Sequence, residues 1–230
     1  MFIDYPLFYP ALTIGIFCAS SFIYEKTGKI SALQPVLIAI ITLATLLIGL
    51  GIPYADYAAD MEAFSLLLTP AIIALAVPLY QNLQKAKENL QVLVIVVLIG
   101  GSLIILGALT LAKLAGLEAP YILPMLTKSV SAPIAISIAE KTDAVVALTI
   151  LGVFSTGLPG AILVPSLLKR LSVKEEAMQG LVLGMTSHAF GIARSIEIGS
   201  RATAFATLGM GLMGCFVALT VPTLTQLFGL

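Results

Sequence analysis

The chain has 230 residues, of which 59% are hydrophobic and only 10% are charged, and its mean hydropathy is +1.08. A soluble domain carries about 25% charged residues, so this composition predicts an integral membrane protein that lies in a lipid bilayer. The formal net charge is zero and the sequence contains no basic block, which argues against nucleic acid as a partner.

Few side chains are available for metal or redox chemistry. Cys18 and Cys215 both lie in apolar runs, so we expect them to pack as small side chains rather than to form a disulfide. His188 is the single histidine of the sequence, which argues against a histidine-based metal site. The sequence contains no hydrolase elbow, zinc-protease motif or phosphate-binding glycine loop. We therefore expect no enzyme, no metal and no cofactor.

Long uncharged runs predict the membrane helices, because about 20 helical residues cross a hydrocarbon core about 30 Å thick. Six runs meet this length: 5–24, 30–55, 63–84, 90–112, 144–168 and 202–230. The first has no preceding basic region or small-residue cleavage site, so we expect a retained helix rather than a signal peptide. Segments 119–140 and 175–199 are also apolar but carry polar residues. The prediction is an all-α polytopic membrane protein, with about eight hydrophobic elements in a single domain, residues 1–230.

Loop charges predict how these elements are oriented. Loop 25–29 is net basic and belongs in the cytoplasm, whereas loop 56–62 is acidic and belongs outside. Loop 85–87, with two lysines, returns to the cytoplasm. Simple alternation would then place the basic loop 169–174 outside, against the positive-inside rule. A broken or re-entrant segment 119–140, which enters and leaves on one face, restores that loop to the cytoplasm.

A weak internal similarity accompanies this topology. Thr69, Thr127 and Thr186 recur at nearly equal spacing, and each begins a segment rich in small residues that leads to a long apolar helix. If 175–199 is also broken, the second and third units cross the membrane in opposite senses, as in the inverted repeats of many transporters. Chance resemblance among sequences rich in alanine, glycine and threonine is an equal alternative.

Lys128 is the only charged residue between positions 119 and 139. A cation at membrane depth costs roughly 2.5–3.5 kcal/mol on insertion scales, so it normally faces protein or water. Pro133 is predicted to break the helix beside it and to free backbone groups for a ligand. The alternative is that Lys128 extends to an interface or pairs with Glu140. The combination of charge and helix break favours a binding site.

The side chains around this lysine suit a small carboxylate. Lys128 would neutralise the anion, while Ser129 and Ser131 would donate hydrogen bonds to it, with Thr127 as a secondary candidate. A buried lysine can also release its proton, so Lys128 is a candidate for proton coupling. This segment is predicted to bind the substrate.

A second polar cluster lies in 175–199. Gly191 is predicted to open the helix there, which would let His188 and Arg194 face one cavity. The planar guanidinium of Arg194 suits a carboxylate, Ser187 would hydrogen-bond it, and His188 would carry a coupled proton. Thr186 is a secondary candidate.

Other polar residues have weaker claims to function. Glu197 follows Arg194 by three residues and precedes Arg201 by four, so a helix-surface ion network is an equal alternative for Arg194 and Glu197. Prolines and glycines near 70–80 and 157–160 are favoured as simple kinks. Tyr80 is a candidate cavity-lining residue.

Several of these segments together resemble one family of bacterial membrane proteins. The chain is similar over its whole length to the LrgB/CidB family, to which the membrane domain of the plant plastidic glycolate/glycerate translocator also belongs. The matching segments follow the family's order: Gln34-Pro-Val-Leu-Ile-Ala39, Gly51-Ile-Pro-Tyr-Ala-Asp-Tyr57, Pro70-Ala-Ile-Ile-Ala-Leu-Ala-Val-Pro-Leu-Tyr80, Lys128-Ser-Val-Ser-Ala-Pro-Ile-Ala135 and Ser187-His-Ala-Phe-Gly-Ile-Ala-Arg194. The family usually has hydroxyl residues where this chain has Ala132 and Ile192, which puts substrate identity in question more than fold.

The resemblance implies a single LrgB-like transmembrane domain that is multi-pass in the inner (cytoplasmic) membrane. It also implies two functional descriptions. One is transport of small monocarboxylates such as glycolate, glycerate, pyruvate or lactate, which the buried cations and broken helices favour. The alternative is antiholin-like or holin-like regulation of murein hydrolase export and cell lysis, with a small LrgA/CidA-type membrane protein as partner. A homodimer is expected only from the general prevalence of two-fold assemblies.

Overall fold

The computed structural model describes residues 7–28, 30, 33–62, 66, 70, 73–74 and 76–228. Each regular element that covers several consecutive described residues is an α-helix, which confirms the prediction of an all-α membrane protein. The chain divides into two compact units, Met1–Ala74 and Leu75–Leu230.

The first unit contains three described helices: α1 (Phe8–Lys26), α2 (Pro35–Gly49) and α3 (Tyr54–Asp60). The hydroxyl oxygens of Thr13 and Tyr57 lie 3.1 Å apart and join α1 to the last of these helices. With 15 residues, α2 is much shorter than the predicted run 30–55. Pro35 begins it, and the chain turns at Gly51, where φ is +65°. At 1.5 Å per residue α2 extends about 22 Å, less than the hydrocarbon thickness.

The second unit contains the remaining described helices: α4 (Ala76–Gln81), α5 (Leu83–Glu88), α6 (Leu90–Leu114), α7 (Ala119–Leu126), α8 (Ala132–Lys141), α9 (Val146–Arg170), α10 (Glu176–Ile196) and α11 (Ser200–Phe228). Among the described residues α6, α9 and α11 are long and apolar enough to cross a membrane, in agreement with three of the predicted spans. The predicted span 63–84 lies mostly outside the described residues.

The helix α10 reverses its direction at His188, where φ is +41° and ψ is −124°. In a straight helix Leu183 and Gly191 would lie about 12 Å apart along the axis, yet a β-carbon on Gly191 would overlap the carbonyl oxygen of Leu183. The residue before α10 and the first turn of α11 also meet, since Arg201 Nη2 lies 2.9 Å from Glu175 Oε1. Both ends of α10 therefore lie at one end of the unit, and α10 is a re-entrant hairpin.

Close backbone contacts hold this hairpin. A β-carbon on Gly180 would overlap the carbonyl oxygen of Ala202, and one on Gly184 would overlap that of Ala206. The first half of α10 therefore runs parallel to α11, at a distance that only small residues permit, and such close approach supplies the packing energy between membrane helices. A β-carbon on Gly160, near the centre of α9, would meet the hydroxyl of Ser187, so the hairpin tip reaches the middle of a spanning helix.

The predicted break in 119–140 is also present. The segment consists of α7 and α8, separated by the non-helical residues 127–131. Pro133 lies in the first turn of α8 and not at the break itself, since a proline in that turn lacks an N–H that would be unpaired in any case. The chain leaves α7 at Thr127, and Ser131 is the extended residue from which α8 starts. The break is therefore a short loop between two helices, not a proline kink.

Matching contacts show how α7 packs on α9. A β-carbon on Gly152 would lie 3.3 Å from the carbonyl oxygen of Pro124 and 3.6 Å from Cβ of Lys128. Where α10 packs on α11, a β-carbon on Gly209 would lie 2.7 Å from the carbonyl oxygen of Leu181 and 3.4 Å from Cγ of Met185. In both cases the glycine contacts a backbone carbonyl and the side chain four residues after that carbonyl. The glycine also follows the carbonyl by the same number of residues in the two cases. This correspondence indicates that α7 runs parallel to α9, as the first half of α10 runs parallel to α11.

The segment 119–141 is consequently a second re-entrant hairpin. Leu117, just before α7, and Leu148, in the first turn of α9, line the same cavity, which places the start of α7 beside the start of α9. The second helix, α8, begins near the centre of α11, where Ile134 Cδ1 lies 2.8 Å from the position of a β-carbon on Gly214. It ends at Lys141, shortly before α9 begins. The two hairpins therefore enter from opposite ends of the unit, as an inverted repeat requires.

The two ends differ in charge. The end at which α9 finishes and α10 begins carries basic side chains that we call the basic face: Lys169, Arg170, Lys174 and Arg201. The end at which α9 begins, the opposite face, has fewer basic residues near it: Lys113 and Lys141. The positive-inside rule assigns the basic face to the cytoplasm.

Candidate functional site

The hairpin α10, which enters from the basic face, has Ser187 and His188 at its tip. Both side chains are buried, with 0% and 2% exposure. A β-carbon on Gly157 would overlap the imidazole ring of His188, and one on Gly160 would overlap the hydroxyl of Ser187. The two glycines of α9 therefore form the surface that receives the tip. Residues 157–160, predicted as a simple kink, lie within the continuous helix α9, and their two glycines give the tip clearance.

A hydrogen bond fixes the imidazole. Nε2 of His188 lies 3.1 Å from the carbonyl oxygen of Val153. Because a carbonyl only accepts, Nε2 carries the hydrogen and donates it, which leaves Nδ1 as the acceptor in the neutral ring. Phe190 packs edge-on against the imidazole, at 5.8 Å between ring centroids, and also against Phe154. The histidine thus has one defined orientation and one nitrogen that is open to protonation.

The hydroxyls beside His188 are partly used by the hairpin itself. Thr186 Oγ1 donates to the carbonyl oxygen of Val182 at 2.7 Å and lies 3.3 Å from the hydroxyl oxygen of Ser187. The predicted opening at Gly191 is wrong, because the break lies at His188. Gly191 instead lets the second half of α10, which returns toward the basic face, approach Leu183 closely.

The tip of the other hairpin carries Lys128. Its neighbours Thr127, Ser129 and Val130 are buried, with exposures of 1%, 2% and 0%, while Lys128 itself is half-buried. Among the described residues no carboxylate forms an ion pair with Lys128, and Glu140, the partner considered from the sequence, is exposed. Lys128 therefore lies beside the first half of α9, and among the described residues it has no ion pair with Glu140, the acid considered as its structural partner.

The hydroxyls around Lys128 have separate positions. Thr127 Oγ1 donates to the carbonyl oxygen of Pro124 at 3.2 Å and so closes the end of α7. The side chain of Ser131, which precedes α8, makes no capping hydrogen bond. Ser129 is buried within the loop between them. Of these three, Thr127 has a structural role that the described contacts account for.

Both tips contact the helix α9. Lys128 packs against Gly152, and His188 donates to the carbonyl of the next residue, Val153. A cation from one hairpin and a histidine from the other therefore lie along the same helix, in its first half and near its centre. This arrangement places Lys128 and His188, which the sequence could only assign to separate clusters, against one helix.

Arg194 is not brought to this point. It lies in the second half of α10, toward the basic face, and forms an ion pair with Glu197. Arg201, the other member of the ion network predicted from the sequence, pairs with Glu175 before α10. Tyr80, the other candidate, lies on α4 with 77% of its side chain exposed, and it does not line the cavities described here.

Sequence reasoning missed the residues that receive the tips. Gly152, Gly157 and Gly160 contact Lys128, His188 and Ser187 from α9. Their spacing, with two glycines one turn apart in the middle of an apolar helix, is a signal of close approach that could have been used. The carbonyl of Val153 could not have been found, because a backbone acceptor leaves no mark in the sequence.

These features define a class of protein: a polytopic membrane protein in which two broken helices enter from opposite faces, and the polar tip of each contacts the same spanning helix. The sequence comparisons give the family. The profile of the LrgB-like family matches residues 13–227, and the chain belongs to that family.

The relatives are similar along nearly the whole chain. The holin-like protein CidB of Staphylococcus epidermidis is 32% identical over 217 residues, which cover 94% of each protein. The holin-like protein CidB of Staphylococcus aureus is 31% identical over 196 residues, 85% of this chain and 86% of that protein. The uncharacterized protein YxaC of Bacillus subtilis is 30% identical over 217 residues, 94% of each. No solved structure matches the chain.

Proposed function

We propose that this protein is a carrier of small organic monocarboxylates in the cytoplasmic membrane, with the basic face in the cytoplasm. The observation that supports this most is that both hairpin tips contact α9, with Lys128 on one tip and His188 on the other. Broken helices near the midplane are a common plan of transporter binding sites. A half-buried cation there normally faces protein or water, and a substrate carboxylate would neutralise it.

The transport cycle follows from this geometry. A carboxylate would bind to the Lys128 ammonium, with the hydroxyls of Ser129 and Ser131 on the same loop and Ser187 on the facing tip. Opening of one hairpin at a time would expose the anion to one side of the membrane only. His188, whose Nδ1 is the acceptor nitrogen, would bind a proton that moves with the substrate. Arg194 would meet the anion on the basic-face side and not at the centre.

Uptake into proteoliposomes tests this proposal. Labelled glycolate, pyruvate and lactate are offered with and without a pH gradient to the wild-type protein and to Lys128→Ala and His188→Ala. The matched control is Lys141→Ala, which removes the same charge at the opposite face, away from the tips. We expect saturable uptake that Lys128→Ala reduces at least tenfold and Lys141→Ala leaves unchanged. His188→Ala should remove the dependence on the pH gradient.

A second candidate function comes from the relatives. Two of the similar proteins bear the name holin-like protein CidB, and this name favours an antiholin-like or holin-like regulator of murein hydrolase export and cell lysis over a carrier. Such a regulator would act as a homo-oligomer or with a small LrgA/CidA-type membrane protein. Nothing in the geometry of the tips is required for that role, so a folded Lys128→Ala protein would retain it.

The two candidates differ in what passes the membrane. A holin-like assembly would release neutral solutes such as sucrose together with carboxylates, without saturation, and co-reconstitution with the small partner would change the leak. A carrier would retain sucrose and discriminate among anions. If sucrose leaks as fast as glycolate and both are insensitive to Lys128→Ala, the carrier proposal is wrong and the holin-like function stands.

A further inference from the structure

The strongest unassigned feature is a cavity at the basic face, between the end of α9 and the start of α10. Its volume is about 580 Å³, and its lining combines two cations, a hydroxyl and an amide with apolar side chains: Pro165, Lys169, Ser172, Val173, Lys174 and Gln179. We propose that this cavity binds the phosphate group of an anionic phospholipid of the cytoplasmic leaflet.

The turn that shapes the cavity is rigid. Ser172 has a positive φ of +59°, and its N–H donates to the carbonyl oxygen of Lys169 at 3.1 Å. The next N–H, of Val173, donates to the carbonyl oxygen of Leu168 at 2.9 Å. Gln179 Nε2 reaches back from α10 and donates to the carbonyl of Val173 at 3.0 Å. These bonds hold Lys169 and Lys174 on either side of one opening.

The local acids do not neutralise this opening. Glu175 directly follows Lys174 but pairs with Arg201 on α11. Glu176 lies against the α10–α11 turn, with its Oε2 3.0 Å from the position of a β-carbon on Gly199. No ion pair involves Lys169 or Lys174 among the described residues. Two positive charges therefore face a concave surface that lacks a carboxylate in its lining.

The location of the cavity selects a lipid phosphate. Lys169 is in the last turn of the membrane-spanning helix α9, which is where lipid headgroups lie. Basic pockets between membrane helices on the cytoplasmic side are typical binding places for anionic headgroups. Lysine binds phosphate as a point charge, and the Ser172 hydroxyl can add a directed hydrogen bond. Pro165 and Val173 give the lining an apolar part that suits the glycerol and first acyl carbons.

Lipid binding to the purified full chain tests the assignment. Native mass spectrometry in neutral detergent, with phosphatidylglycerol titrated against phosphatidylcholine, gives the affinity for each headgroup. The variant is Lys169→Gln with Lys174→Gln, and the matched control is Lys113→Gln with Lys141→Gln, which removes equal charge at the opposite face. We expect the dissociation constant for phosphatidylglycerol to rise at least tenfold in the first variant and to stay unchanged in the control.

Two other outcomes overturn the proposal. Equal affinity in both variants would show that the cavity does not bind the headgroup. Displacement of phosphatidylglycerol by millimolar inorganic phosphate would show that the cavity holds a free anion rather than a lipid. The variant Lys169→Arg with Lys174→Arg should retain binding, which separates loss of charge from misfolding. None of these results depends on whether the protein carries carboxylates.

Discussion

Replacement of Gly157 by alanine gives the sharpest test of the hairpin tip. The new methyl group would overlap the imidazole of His188. This ring is buried and hydrogen-bonded to Val153, so it cannot leave its place without losing the bond. Gly157→Ala therefore displaces the histidine and weakens the packing of the hairpin tip on α9.

Opposing terms set the magnitude. Alanine is favoured over glycine in a helix interior by roughly 0.5–1 kcal/mol. Overpacking of a well-packed interior costs roughly 1–3 kcal/mol, and a buried imidazole N–H left unpaired costs about 1–3 kcal/mol more. The sum is a net destabilisation of about 1–5 kcal/mol. In proteins of 150–250 residues each kcal/mol shifts Tm by about 2–4 °C.

Thermal unfolding in detergent, followed by loss of the monodisperse peak in size-exclusion chromatography, measures this effect. The control is Gly107→Ala in α6, because no atom lies within 4 Å of a β-carbon there. We expect Gly107→Ala to keep or raise Tm and Gly157→Ala to lower it. In the double variant with His188→Ala part of the loss should disappear, since the overlap with the imidazole is removed while the contact with Phe190 Cδ2, 2.8 Å from the new β-carbon, remains. Equal Tm values for the two alanine variants, or no relief by His188→Ala, would refute the placement of the ring.

Further expectations follow from the packing and from the charge of the two faces. Gly184→Leu should prevent the close approach of α10 to Ala206 and abolish the monodisperse peak, and a stable, monodisperse variant would contradict the parallel packing of α10 on α11. In a background without native cysteines, Ser172→Cys should react with an impermeant maleimide only in inside-out vesicles; labelling in intact cells would reverse the predicted orientation. Backbone amide hydrogen exchange should be faster in the hairpin 119–141 than in the hairpin 176–196. The reverse order would argue against a greater mobility of the hairpin 119–141.

Composition and charge predicted much of the fold because membrane insertion acts on both directly. Long apolar runs gave α6, α9 and α11 within a few residues at each end. The isolated Lys128 and the surplus of basic residues in loop 169–174 together predicted a broken segment at 119–140, which the structure confirms. The run 30–55 was predicted too long, because hydropathy alone ignores how Gly51 and Pro53 end a helix.

The reversal in α10 could not be derived from local sequence. A histidine with positive φ is uncommon, and local preference pointed to Gly191 as the weak position. The reversal persists because contacts from other helices determine it: the glycines of α9 make room for the tip, and α11 holds the first half of the hairpin through its backbone carbonyls. These contacts are between residues far apart in sequence, so only the folded chain shows that Lys128 and His188 both contact α9.

The two hairpins differ in how firmly they are held, and this difference bears on which one opens first. Eleven of the 21 residues of α10 are buried, and its first half is in backbone contact with α11. In the other hairpin α7 buries four of its eight residues and α8 three of its ten, and cavities of about 300 and 360 Å³ flank it on its α9 and α11 sides. Segments with few buried contacts open at lower free energy. We therefore expect the hairpin that carries Lys128 to move while the one that carries His188 stays, so that a bound anion is first exposed toward the opposite face.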